Sequence, residues 1–161
     1  FKLDITSFDI NDLICKCLIS LESRIDDKRL EVNVDFRPDR LITLGDKYQI
    51  QRVVLNLLDN AIKFCYEGTE IQIHTWIERG KAHVSVSDTG DIISETDMKN
   101  LFDRFFKTDK SRNKDRSGAG LGLSLVHNII RLHNQTINVS CTPLEDGKSG
   151  VTKFEFTLEV Q

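Results

Sequence analysis

Apolar side chains recur along this chain with two periods. Between residues 9 and 28, Ile10, Leu13, Ile14, Cys17, Leu18, Leu21 and Ile25 fall at helical spacing behind Asp9, a fitting N-cap. Leu30, Val32, Val34 and Phe36 then alternate, which predicts a strand. Pro38 ends it, and residues 41–44 read as a short second strand. Gly45 and Asp46 open a long helical pattern through Ile50, Val53, Val54, Leu57, Leu58, Ala61 and Ile62. Alternation returns over 70–77 and 82–87, around Glu78-Arg79-Gly80-Lys81, and predicts a hairpin. Ser94 caps a short helix carrying Met98, Leu101, Phe102 and Phe105. Residues 107–117 hold five cations, two anions and almost nothing apolar, the pattern of an exposed loop. Residues 118–122 lead into a helix with Leu125, Val126, Ile129, Ile130 and Leu132. Two strands, about 136–141 and 151–160, close the chain around a turn at 143–150.

Five to seven strands and three substantial helices, alternating in type, predict the α+β class, with helices covering one face of a mixed sheet. The 161 residues suit a single domain, 1–161, with 39% hydrophobic and 29% charged content. A net charge of −3 gives no electrostatic case for nucleic acid or an anionic membrane. No apolar run approaches the roughly 18 residues of a membrane span, and no signal peptide is visible. Cys15, Cys17, Cys65 and Cys141 are scattered without zinc-site spacing and read as reduced thiols of a cytosolic protein. A first residue Phe1 in place of Met suggests a piece of something longer.

Asp88-Thr89-Gly90 after an alternating stretch is one chemical signal. An aspartic protease presents its carboxylate this way, but a single copy requires a symmetric dimer in an almost wholly β fold, and three helical patterns oppose that. Gly147-Lys148-Ser149 resembles the end of a phosphate loop, but Thr142 stands where its first glycine belongs. Gly118-Ala119-Gly120-Leu121-Gly122-Leu123 lacks dinucleotide-fold spacing, yet glycines opening a helix bring N–H groups close to an anion. Asn56, Asn60 and Lys63 fall at i, i+4 and i+7, within roughly 60° of one another on a helix. Asn is a mediocre helix former, so two on one line ask for a reason. Amide oxygens and an ammonium suit a magnesium ion and its phosphates.

Together these segments resemble a known family. Asn56-Leu57-Leu58-Asp59-Asn60-Ala61-Ile62-Lys63-Phe64 looks like the N box of sensor histidine kinases, and Asp88-Thr89-Gly90 like the start of their first glycine box. Leu101-Phe102-Asp103-Arg104-Phe105-Phe106 looks like their phenylalanine box, and the segment from Gly118 through Leu121 and Gly122 like their second glycine box. The four occur in family order and cover nearly the whole chain. The resemblance implies the catalytic, ATP-binding domain of a histidine kinase, in the two-layer α/β sandwich of gyrase, Hsp90 and MutL ATPases. That Bergerat-type fold has a mixed, mostly antiparallel sheet with three helices on one face. The cofactors implied are ATP and Mg²⁺. Asn60 would ligate Mg²⁺, while Asn56 and Lys63 face the phosphates. Asp88 would accept from the adenine amine beside Gly90, and Gly118, Gly120, Leu121 and Gly122 would line the phosphates. Phe102 and Phe105 would anchor a lid over about 92–117, with Arg104 near the phosphates and Lys107, Lys110, Arg112, Lys114 and Arg116 as lid cations. ATP-hydrolysing relatives place a Glu at the position of Asn56 as general base, and an amide cannot take that proton. The site is therefore expected to present the γ-phosphate for transfer.

The acceptor histidine belongs on a separate dimerisation hairpin, and no matching segment is present. His74, His83, His127 and His133 read as structural or exposed. The expected partners are that phosphoacceptor domain and, indirectly, a response regulator. The isolated domain is expected to be monomeric and cytoplasmic, whether or not its parent is a membrane-bound sensor. Two departures stand out. Ile92 occupies the second glycine of the first box, where positive φ and close approach are expected. His133-Asn134-Gln135 replaces a frequent His-Gly-Gly. Ile92 favours an alternative, a degenerate nucleotide fold acting as a regulatory or scaffold module.

Overall fold

A computed structural model describes residues 2–103 and 122–161. The chain runs β1 (Ile5–Asp9), α1 (Ile10–Ser20), α2 (Glu22–Asp27), β2 (Glu31–Phe36), β3 (Ile42–Asp46) and α3 (Lys47–Phe64). It continues with β4 (Glu70–Glu78), β5 (Lys81–Asp91), α4 (Glu95–Asn100), α5 (Gly122–Leu132), β6 (Ile137–Pro143) and β7 (Ser149–Val160). One sheet of seven strands has the order β1-β3-β7-β5-β4-β2, with β6 also on β7. Among the described residues only β2 and β4 pair in parallel. The sheet is mixed, as the pattern predicted, and mostly antiparallel, as the family resemblance implied.

Strand alternation decides which face carries the core. Ile71 and Ile73 of β4, Ala82, Val84 and Val86 of β5, and Phe154, Phe156 and Leu158 of β7 are all buried. They meet Ile10, Leu13 and Ile14 of α1, Ile50 through Ile62 of α3, and Val126, Ile129 and Ile130 of α5 in one cluster. The caps expected at Asp9 and Ser94 form, accepting from the N–H groups of Asn11 and Asp97, and Asp46 caps α3 in the same way through Gln49. Arg79 and Gly80 both have positive φ, 53° and 76°, as a two-residue hairpin turn requires.

Three expectations need correction. The helix over 9–28 is two helices, because Leu21 leaves helical geometry (φ −107°, ψ 6°) although the apolar period continues through it. β1 was not expected. Its residues show no alternation, and the strand exists through pairing with β3 from Ile5↔Asp46 to Asp9↔Ile42. β5 does not stop at Ser87 but runs to Asp91, still in register with β7, where Gly90 faces Gly150.

His133 ties two helices together. Its Nδ1 donates to the Ile129 carbonyl at 2.8 Å, and its Nε2 accepts from the Asp46 N–H at 3.0 Å. The end of α5 is thereby joined to the start of α3. Asn134 takes the left-handed turn (φ 57°) that the more frequent glycine would supply, a conformation Asn tolerates.

Candidate functional site

α3 carries the polar stripe. Its buried face is Ile50, Val53, Val54, Leu57, Leu58, Ala61 and Ile62, and Asn56, Asn60 and Lys63 are half-buried on the flank. Asn56 Nδ2 donates to the Arg52 carbonyl at 2.8 Å, which fixes the amide. Its Oδ1 then faces the first residue of α5, and a Cβ added to Gly122 would lie 3.0 Å from that oxygen. The N box and the end of the second glycine box are thus in contact. Lys63 Nζ lies 3.2 Å from Asp59 Oδ2, while Arg24 of α2 donates to Asp59 Oδ1 at 2.8 Å. Lys28 Nζ donates to the carbonyls of Ile62 (2.6 Å) and Lys63 (2.9 Å), closing the C-terminal end of α3.

The far end of α3 meets β5. Asp88 is 6% exposed, on the helix-covered face, between Ile71 of β4 and Thr152 of β7. It lies inside the strand rather than at its end, as the register with Gly90 and Asp91 requires. Cys65 bridges to Gly90, and Tyr66 N–H donates to the Thr89 carbonyl at 2.9 Å. The approach is so close that a Cβ on Gly90 would lie 2.3 Å from the Phe64 carbonyl oxygen and 3.5 Å from Asp88 Oδ2. Glycine is required here by contact, not by φ. Cys65 Sγ sits 2.9 Å from Thr69 Oγ1. Burial pushes its thiol up, the Thr69 bond opposes that, and the charge of Asp88 adds to it. On the rim, Tyr66 donates to Asp91 Oδ1 at 2.5 Å, and this bond is the main reason its phenol is pushed up to about 12. Asp146 accepts from the Ser149 hydroxyl and from the N–H groups of Ser149 and Lys148, which holds its carboxyl below the usual range and fixes the β6–β7 turn.

Two residues of this corner, Cys65 and Thr152, were not singled out from sequence. A signal existed for Thr152, a buried hydroxyl at an inward position in a strand otherwise lined by Phe154, Phe156 and Leu158. Ile92 donates its N–H to the Lys148 carbonyl at 3.1 Å, and its φ lies outside the left-handed region. Phe102 packs its ring against His127 (5.4 Å) and Phe154 (6.1 Å). Arg104, Phe105, the five lid cations, Gly118, Gly120 and Leu121 lie outside the described residues.

α3 therefore links two patches. One is a buried carboxylate beside a tightly apposed glycine, suited to accept from an amino group. The other is a row of amides and an ammonium at the start of a helix, suited to a hydrated cation and an anion. Among the described residues no group of His, Cys, Asp and Glu has the arrangement of a metal site. Among the same residues no helix is long and apolar enough to cross a membrane.

Comparison with known proteins agrees with this arrangement. The sensor-like histidine kinase SenX3 of Mycolicibacterium smegmatis is 28% identical over 140 residues, 87% of this chain and 36% of that protein. The signal transduction histidine-protein kinase ArlS of Staphylococcus epidermidis is 31% identical over 158 residues, 98% of this chain and 33% of that protein. The chain spans about a third of the length of these relatives. The catalytic domain of the histidine kinase ThkA, in a nucleotide-free form, superposes with a TM-score of 0.80 at 28% identity, covering 96% of this chain and 98% of that one. The Acinetobacter baumannii histidine kinase AdeS gives 0.76 at 25% identity, covering all of this chain and 70% of that one. The profile of the histidine kinase-, DNA gyrase B- and HSP90-like ATPases matches residues 45–161, and the chain belongs to that family.

Proposed function

We propose that this domain binds Mg·ATP and donates the γ-phosphoryl group to a histidine on a separate dimerisation and phosphoacceptor domain, for onward transfer to a response regulator. The observation that carries the reading is the joint placement of Asp88 with Gly90 at one end of α3 and of Asn56 against Gly122 on its flank. The buried Asp88 carboxylate accepts from the adenine amine, with Gly90 leaving room. Hard amide oxygens fit the group they are asked to hold, and Asn60 would ligate Mg²⁺ beside the phosphates. When bound, Mg²⁺ supplies charge neutralisation for the transferring group. Asn56 and Lys63 would orient the phosphates, and Gly118, Gly120, Leu121, Gly122 and Arg104 are the further candidates that the motifs supply for them. Asn56 cannot act as a base toward water, which favours transfer over hydrolysis.

The alternative, a regulatory module with weak or no nucleotide binding, drew on Ile92, whose φ stays outside the left-handed region that a glycine there would permit. Calorimetry with Mg·ATP decides between them. The wild-type domain binds, and Asp88→Asn binds about tenfold more weakly, because a bond to a charged acceptor becomes a bond to a neutral one. No heat at millimolar Mg·ATP in the wild type would favour the regulatory module. Phosphotransfer is tested by adding a histidine-bearing dimerisation domain in trans.

A further inference from the structure

Asp59 stands between the two asparagines of the α3 stripe and serves two cations at once. Arg24 approaches its Oδ1 at 2.8 Å and Lys63 its Oδ2 at 3.2 Å, and the three side chains are 36–41% exposed. At that exposure water screens each pair, and exchanging partners costs little. Lys63 is the cation that the proposed function places at the phosphates. If it left a carboxylate with no other partner, that carboxylate would be uncompensated beside an incoming anion. Arg24 prevents this, since it keeps a cation on Asp59 after Lys63 has left. The base of Lys63 stays fixed meanwhile, because Lys28 holds the carbonyls of Ile62 and Lys63.

We infer that Arg24 is a positioning residue for phosphate binding: by keeping Asp59 paired, it lets Lys63 pass its ammonium from that carboxylate to the phosphates of bound nucleotide. The inference rests on the proposed role of Lys63. Arg24 itself touches no nucleotide. It acts through Asp59, and its removal strengthens the hold of Asp59 on Lys63.

The test is calorimetry of Mg·ATP and of adenosine on the wild type, Arg24→Gln, and the double variant Arg24→Gln/Asp59→Asn. Arg24→Gln is expected to weaken Mg·ATP about two- to fivefold, the range of an exposed ion pair. That loss shrinks as salt rises, and adenosine affinity stays unchanged. The double variant recovers at least wild-type affinity, because the Asp59 carboxylate that competes for Lys63 is gone. Equal losses for Mg·ATP and adenosine would mean that Arg24 merely supports the fold, and would overturn the inference. Unchanged Mg·ATP affinity in Arg24→Gln, or no recovery in the double variant, would also overturn it, leaving the kinase reading intact. A wild type that binds neither ligand would overturn both.

Discussion

Gly90→Ala probes the closest contact of the site. The added methyl would lie 2.3 Å from the Phe64 carbonyl oxygen, a backbone atom that no side-chain rotation can move. Ordinary contact begins near 3.4 Å, so β5 and the end of α3 must part by about 1 Å. Overpacking of this kind costs roughly 1–3 kcal/mol. The separation also stretches the 2.9 Å bond from Tyr66 N–H to Thr89, worth about 1 kcal/mol. The sum is about 2–4 kcal/mol, or roughly 5–15 °C in Tm for a domain of this size. Urea unfolding followed by circular dichroism should show a lower midpoint with an unchanged m-value. Because the methyl also meets Asp88 Oδ2 at 3.5 Å, Mg·ATP affinity should fall in the variant that remains folded. Stability within about 0.5 kcal/mol of wild type, the range of an inert surface change, would refute the reasoning.

Other positions separate stability from binding. Gly122→Ala gains helix propensity of up to about 1 kcal/mol but presses on Asn56, so Tm should hold while calorimetry shows Mg·ATP affinity falling about three- to tenfold. His133→Phe keeps the ring but leaves the Asp46 N–H without its acceptor, at a cost of about 2 kcal/mol visible in the urea midpoint. Burial pushes Cys17 up to about 11, so at neutral pH iodoacetamide should label the exposed Cys15 and leave Cys17 intact by mass spectrometry. Tyr66 is pushed up to about 12, mainly by its bond to Asp91. Its stabilising contribution is complete below the ordinary phenol value near 10 and is lost as pH rises through about 12. A difference titration of tyrosinate absorbance between wild type and Tyr66→Phe should show that late ionisation, and a midpoint near 10 would contradict it.

Much of the site was legible because its parts are local in sequence. The α3 period, its Asp46 cap and the asparagine stripe need only one helix to be read, and Arg79-Gly80 announces its own turn. The rest depends on partners distant in sequence. β1 has no pattern of its own and is a strand because β3 offers it an edge. Asp88 to Asp91 carry residues depleted in strands, and they remain extended because β7 pairs with them to the end and sets Gly150 opposite Gly90. The break at Leu21 is invisible to a periodicity that runs straight through it. The hold of Lys28 on α3 joins residues 34 and 35 positions apart, which no short motif encodes.

The bond from Lys28 to α3 also bears on where this domain begins as an autonomous folding unit. The family profile begins at residue 45, yet Ile10, Leu13, Ile14 and Cys17 roof the same apolar cluster as α3. β1 shields an edge of β3, and Arg24 and Lys28 pin the helix that bears the polar stripe. A fragment trimmed to the matching residues would expose that apolar roof, open a sheet edge to intermolecular pairing, and leave the last turn of α3 to fray. The minimal folded domain is set by these contacts, some forty residues ahead of the point where the family profile begins.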